Sequence, residues 1–275
     1  MPKSKKSKKK SWPLWQKITF GSVTGLLGLC LVFCLWTILG HRGPDKTAQA
    51  ALQSNAQVKV SRDSQKNLTC APLTGDNNHQ GIIFYAAALI DPAAYAPLCQ
   101  LLAQNGYLVI MPKFNFNLSR TNPDIATQLI ATHPEIVVWT GIGDAGGGVS
   151  LSDYAARHPA IFKNIILLST TPKNPAFAQF PGRVASVTGS EDKILNQKKY
   201  QQTRSFLPKS AALVSIPGAN HTQYGNYGTK FADGNATITS TEQQAALLET
   251  LQILTGFYPS PTEDTSPELN PTPAP

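Results

Sequence analysis

Chemistry in this chain of 275 residues could begin at a glycine-rich stretch, Thr140-Gly141-Ile142-Gly143-Asp144-Ala145-Gly146-Gly147-Gly148. An apolar strand ending at Trp139 is expected to deliver this stretch into a helix. Three mechanisms use such a turn. Gly141, Gly143 and Gly146 satisfy GxGxxG, but a dinucleotide site also wants an acidic residue about twenty positions on to hold a ribose. No Asp or Glu occurs between Asp153 and Glu191. A phosphate loop needs a lysine where Val149 stands. The third pattern, Gly-x-Ser-x-Gly, needs small residues on both sides because the strand reverses sharply into the helix. Gly143-Asp144-Ala145-Gly146-Gly147 supplies them, with alanine where the serine belongs.

Two further sites extend the third reading. Val187-Thr188-Gly189-Ser190-Glu191-Asp192 is a strand end that presents an acid, and Gly218-Ala219-Asn220-His221 follows the last apolar strand and presents a base. A turn, then an acid, then a histidine, each at a strand end, is the arrangement that activates a nucleophile. Each alone is also ordinary loop chemistry. Ser150 and Ser152 fall inside the expected helix, too far along to attack. Cys70 and Cys99 could pair or remain free, and no CxxC or HxxxH spacing offers a metal site. No cofactor and no metal are expected.

The elements that must position these residues are strands alternating with helices. Strands are expected at Gly81–Tyr85, Tyr107–Met111, Glu135–Trp139, Ile165–Leu168, Val184–Val187 and Ala212–Ile216. Helices are expected from Asp91-Pro92 to Asn105, from Pro123 to Thr132, from the glycine cluster to His158, and from Thr241 to Thr255. Apolar strands alternating with helices predict a doubly wound, mostly parallel sheet covered on both faces. Val58–Val60 and Leu68–Cys70 should add antiparallel edge strands.

The net charge of +8 is local. Seven lysines lie in the first seventeen residues, and the rest of the chain carries only +1. A nucleic-acid partner is therefore not expected. Residues 18–40 contain no charge and are long enough, at about 1.5 Å per residue, to cross a hydrocarbon layer of about 30 Å. The expected organisation is a basic cytoplasmic tail (1–17), a transmembrane helix (18–40), a linker (41–56), the folded domain (57–257) and a disordered Pro-rich tail (258–275). The lysine flank keeps the N-terminus cytoplasmic and places the domain outside as a single-pass, signal-anchored protein whose partner is the lipid bilayer. Cleavage near Ala48-Gln49-Ala50 is the alternative.

The chain resembles the α/β-hydrolase family, in its small lidless "fold-5" branch. The resemblance rests on Gly81-Ile-Ile-Phe-Tyr85, Leu89-Ile-Asp91-Pro92, Tyr95-Ala-Pro97 and Gly106-Tyr-Leu-Val-Ile110. It continues through His133-Pro-Glu-Ile136, Tyr154-Ala-Ala-Arg-His158-Pro159, Gly189-Ser190-x-Asp192 and Gly218-x-Asn220-His221-x-Gln223-Tyr224-Gly225. It implies hydrolysis of ester-like carbonyl bonds, with Asp192 and His221 as acid and base and the backbone N–H groups of Gly146 and of Ala87 or Ala88 holding the oxyanion. The family's Gly-His-Ser-x-Gly-Gly appears here with Asp144 in the histidine position and Ala145 in the nucleophile position. Its Pro-Gly-Gly is Ala86-Ala87-Ala88. A carboxylate nucleophile at Asp144 would need a slip of one residue, which puts Ile142 where a small residue belongs. The alternative is a silent pseudoenzyme that binds a small-molecule or protein ligand.

Overall fold

The computed structural model describes residues 13–73 and 79–258. Most of the basic tail, and the Pro-rich tail beyond Tyr258, lie outside the described residues. Two compact units divide the chain, Met1–His41 and Arg42–Pro275.

The first unit is the helix α1, Leu14–Gly40, with a mean hydropathy of 2.2 over its most apolar stretch. By length and composition it can cross a membrane. All four of its hydroxyls bond back to the helix's own carbonyls: Thr19 to Trp15, Ser22 to Ile18, Thr24 to Phe20 and Thr37 to Cys34. They therefore need no water.

The second unit holds one eight-stranded sheet in the order β1-β2-β4-β3-β5-β6-β7-β8. Its strands are β1 (Val58–Arg62), β2 (Leu68–Pro72), β3 (Gln80–Tyr85), β4 (Leu108–Met111), β5 (Val138–Asp144), β6 (Asn164–Leu168), β7 (Arg183–Gly189) and β8 (Ala212–Ile216). Only the pairings of β2, with β1 and with β4, are antiparallel; β4 through β8 run parallel. The edge strands are thus where the sequence placed them.

Alternation along the strands sends side chains to two cores. Ile82, Phe84, Ile166 and Leu168 face one, beneath α3 (Ala96–Gln104) and α7 (Ser240–Thr255). Ile83, Tyr85, Ile165 and Leu167 face the other, beneath α4 (Ile125–Ala131) and α5 (Gly146–Arg157). Capping sets the helix starts: Asp91 accepts from Ala93 N–H at 2.9 Å, and Thr239 and Glu242 form a reciprocal capping box on α7.

Two expectations change. Residues 41–56, read as a linker, contain the helix α2 (Lys46–Ala50), capped by Asp45 and seated on the buried Ala48. Arg42 pairs with Ile90, and Asp45 N–H donates to Asn226 O at 2.9 Å, so this segment belongs to the folded unit. Polar, alanine-rich composition concealed a helix held by tertiary contacts. The third parallel strand begins at Val138 rather than Glu135 and runs on through the glycines to Asp144. Those glycines lie in the sheet because a Cβ on Gly141 would stand 2.8 Å from Ile165 Cδ1, and one on Gly143 would stand 2.5 Å from Gly148 Cα.

Cys70 of β2 and Cys99 of α3 are joined as a disulfide, with Cα atoms 5.9 Å apart and 29 residues of separation. A loop of that length restricts the unfolded chain by about 3.5 kcal/mol. The Cys70→Ala/Cys99→Ala double variant should lose about that much unfolding free energy in urea titrations, and reductant should then have no further effect on it.

Candidate active site

The reversal between β5 and α5 takes a single residue. Ala145 sits at the apex with φ 46° and ψ −111°, and its N–H donates to Leu168 O at 2.9 Å. Left-handed backbone at an alanine is strained and marks a site that its surroundings hold in place. They hold it tightly. A Cβ on Gly147 would lie 2.1 Å from Tyr85 O, and one on Gly148 would lie 2.1 Å from Thr170 Oγ1. The amino end of α5 is thereby pressed against the end of β3, leaving its first N–H groups without intrahelical acceptors. Ser169, at the end of β6, is also left-handed at φ 45°.

Asp192, just past β7, and His221, in the loop beyond β8, come together: Asp192 Oδ2 lies 3.0 Å from His221 Nδ1. Both residues are buried, at 5% and 4% exposure. Asp192 Oδ1 accepts from the N–H groups of Ile194 (3.0 Å) and Leu195 (2.8 Å), which fixes the carboxylate. Asp233 Oδ1 accepts from His221 N–H at 3.2 Å and anchors the loop. Glu191 turns instead to Ser190, at 3.1 Å.

Burial works against the charge on Asp192, but its hydrogen bond to His221 and the nearby positive charge hold its pKa below the ordinary value. Burial likewise works against the imidazolium, and the Asp192 hydrogen bond with the neighbouring carboxyls overrides it, raising the His221 pKa. The Lys230 ammonium opposes that rise from the following loop, where it lies 5.6 Å from the centre of the Tyr227 ring.

Asp144 is not at the apex. It is the last residue of β5, opposite Leu168 and wholly buried. The Tyr95 hydroxyl donates to its Oδ2 at 2.7 Å, whereas its Oδ1 has no partner among the described residues. Burial raises its pKa. A carboxyl so placed is a poor nucleophile.

The two oxyanion candidates also separate. Ala87 N–H is already given to Tyr95 Oη, at 3.3 Å. The residue facing the apex is the exposed Ala88: a Cβ on Gly146 would stand 3.3 Å from Ala88 Cβ and 3.7 Å from Ala88 N. Ala88, rather than Ala87, is therefore the residue of the triplet that lies against Gly146. The triplet of alanines could not reveal which of its amides the tyrosine takes. Tyr95 and Lys230 enter from distant segments, without any local signal of their place beside the apex.

A cleft of about 500 Å³ opens along α5, lined by Val149, Ser150, Asp153, Arg120 and Lys173 among others. It shares α5 with the apex, but Asp144, Asp192 and His221 do not line it. Among the described residues no cluster of His, Cys, Asp and Glu could hold a metal ion.

The sequence profile of the alpha/beta hydrolase family matches residues 81–245, which contain every one of these groups. The chain belongs to the alpha/beta hydrolase family. Solved structures agree on the fold. A protein described as a dienelactone hydrolase, from Klebsiella pneumoniae subsp. pneumoniae, superposes with a TM-score of 0.58 at 17% identity, over 74% of this chain and 100% of that one. A protein described as a CIB-like hydrolase, from Thermoplasma acidophilum, gives 0.53 at 14% identity, over 72% and 99%. Est1E from Butyrivibrio proteoclasticus gives 0.51 at 14%, over 73% and 100%. Among curated proteins none matches. In this member of the alpha/beta hydrolase family a buried Asp192–His221 pair lies in the folded unit, and an alanine stands at the apex of the strand-to-helix turn.

Two measurements test the geometry. Gly147→Ala should cost about 3 kcal/mol of unfolding free energy, because its Cβ meets backbone rather than a movable side chain. Asp192→Asn should cost about 3 kcal/mol near pH 6. A raised His221 pKa means that the pair's contribution is complete below the ordinary imidazole value and is lost as pH rises through the folded one. The cost of Asp192→Asn should therefore shrink towards pH 9, and the His221 imidazole titration followed by NMR should move to lower pH in that variant.

Proposed function

We propose that this chain is a membrane-anchored member of the hydrolase family that binds a ligand without cleaving it through a covalent intermediate. The observation that carries this reading is Ala145 at the strained apex. Family chemistry needs an oxygen there, activated by a base and attacking a carbonyl held by two amides. The Asp192–His221 pair and the nearness of Ala88 to Gly146 support the family roles of base and oxyanion holder, while Ala145 offers no hydroxyl proton for a base to take. Loss of a triad nucleophile alone removes about 10⁶-fold in turnover. The burial of Asp144 and its bond to Tyr95 argue against a carboxylate substitute.

Anchoring through α1, with the lysine-rich N-terminus in the cytoplasm and the folded unit outside, is part of the same proposal. Its supports are the apolar length of α1, the one-sided lysines, and a disulfide of the kind that persists in oxidising compartments.

The full-length protein in detergent, given short-chain nitrophenyl esters, should turn over no faster than its His221→Ala variant. Ala145→Ser should raise hydrolysis by at least about 100-fold, a small part of what a complete triad is worth. A wild-type rate lost in Asp144→Asn would overturn this reading in favour of a carboxylate nucleophile.

A further inference from the structure

The cleft of about 500 Å³ along α5 has no part in the chemistry of the apex. Its volume is that of a small-molecule site, which runs from about 300 to 1,000 Å³. Two exposed cations line it, Arg120 from the segment after β4 and Lys173 from the segment after β6. Neither forms an ion pair or a side-chain hydrogen bond among the described residues. Each segment is nevertheless fastened to α5 through the residue beside its cation. The Ser119 hydroxyl donates to Ser150 Oγ at 2.7 Å, and the Asn174 amide donates to Asp153 Oδ1 at 2.8 Å. Residues three apart on a helix share a face, so Ser150 and Asp153 hold both segments on the same side of α5. Asn174 also caps its own turn, Pro175–Gln179, by accepting from Ala176 N–H at 3.0 Å. On the other segment Phe116 and Asn117 are both left-handed, at φ 53°. Two such residues in succession are costly, and they persist where the surroundings fix them. The third charge in the lining is Asp153, whose Oδ2 faces Arg157 Nε at 3.4 Å. With one partner on each oxygen, its carboxylate keeps lone pairs to accept from a ligand.

We propose that this cleft binds a small phosphorylated polyol, with its phosphate monoester between Arg120 and Lys173 and its hydroxyls toward Asp153 and Ser150. Two cations call for an anion, and the carboxylate beside them calls for a hydroxyl donor on the same molecule. A guanidinium grips two phosphate oxygens at once, and an ammonium adds a point charge. The two negative charges of a monoester match the two cations, which the single charge of a lipid phosphodiester does not. Val149, Pro123 and Pro175 give the carbon chain apolar walls. Neither Ala145 nor His221 lines the cleft, so this site goes beyond the reading of the apex and does not depend on it.

The test is calorimetric titration of the full chain in uncharged detergent micelles at constant ionic strength, near pH 8, where a phosphate monoester carries about two charges. Glycerol 3-phosphate should bind saturably and at least tenfold more tightly than inorganic phosphate, and glycerol should not bind. Arg120→Gln and Lys173→Gln should each weaken glycerol 3-phosphate at least tenfold. Lys209→Gln, which removes an exposed charge outside the cleft, should leave it unchanged, as should Ala145→Ser. Melting curves would show that these variants remain folded. No saturable binding, equal losses in all three glutamine variants, or inorganic phosphate bound as tightly as glycerol 3-phosphate would overturn the proposal. So would the diester glycerophosphoglycerol bound as tightly as the monoester, which would assign the phosphate to a lipid headgroup. A loss in Ala145→Ser would place the binding at the apex and overturn it too. Ester hydrolysis awakened in Ala145→Ser, together with no glycerol 3-phosphate binding, would remove this site and leave the apex reading standing.

Discussion

A strand that must become a helix within one residue governs the rest of this molecule. The reversal at Ala145 forces a left-handed alanine, at a cost of about 1–2 kcal/mol, and it is held by the Leu168 carbonyl and by the pairing of β5 along its whole length. Close approach follows from it. Gly147 rides against the carbonyls of Tyr85 and Ala86, and Gly148 against Thr170 and Gly143, where a side chain has no room. Because α5 is drawn so near to the end of β3, the loop from Ala86 to Leu89 lies beside the first turn of α5, and Ala88 faces Gly146.

Asp144 and Tyr95 act on that same loop. The carboxyl at the end of β5 accepts the tyrosine hydroxyl, and the hydroxyl accepts Ala87 N–H. This chain of two bonds is buried, so water does not compete with it. It ties the loop back at Ala87. Asp144 therefore supports that loop through the tyrosine, while its unpartnered Oδ1 and burial raise its pKa. Asp192 stands in the opposite condition, with three hydrogen bonds to its oxygens, and stays charged.

The legible parts of this fold were those in which local pattern and tertiary structure agree. Apolar runs such as Ile165–Leu168 are buried on both faces and sit where their composition placed them. Asp192 and His221 were legible because each stands within a few residues of the end of an apolar strand, which fixes where it can lie. The extent of β5 was not, since glycines read as a turn while here they serve to keep a neighbouring helix close. Residues 42–50 looked like a tether, although Ala48 is fully buried and Arg42 bonds to both Leu89 and Asp91. The choice between Ala87 and Ala88 depended on a tyrosine hydroxyl that no spacing in the alanine triplet announces.

The imidazole is the group whose burial needs most explanation. Desolvating an Asp–His pair is costly, and attraction within the pair offsets the cost only when the remaining polar atoms are also satisfied. Asp192 meets that condition with Ile194 and Leu195. His221 meets it through its backbone N–H at Asp233 and through Nδ1 at Asp192, and Nε2 is not among the buried atoms left without a partner, so the contacts made within the fold are enough to keep the pair buried.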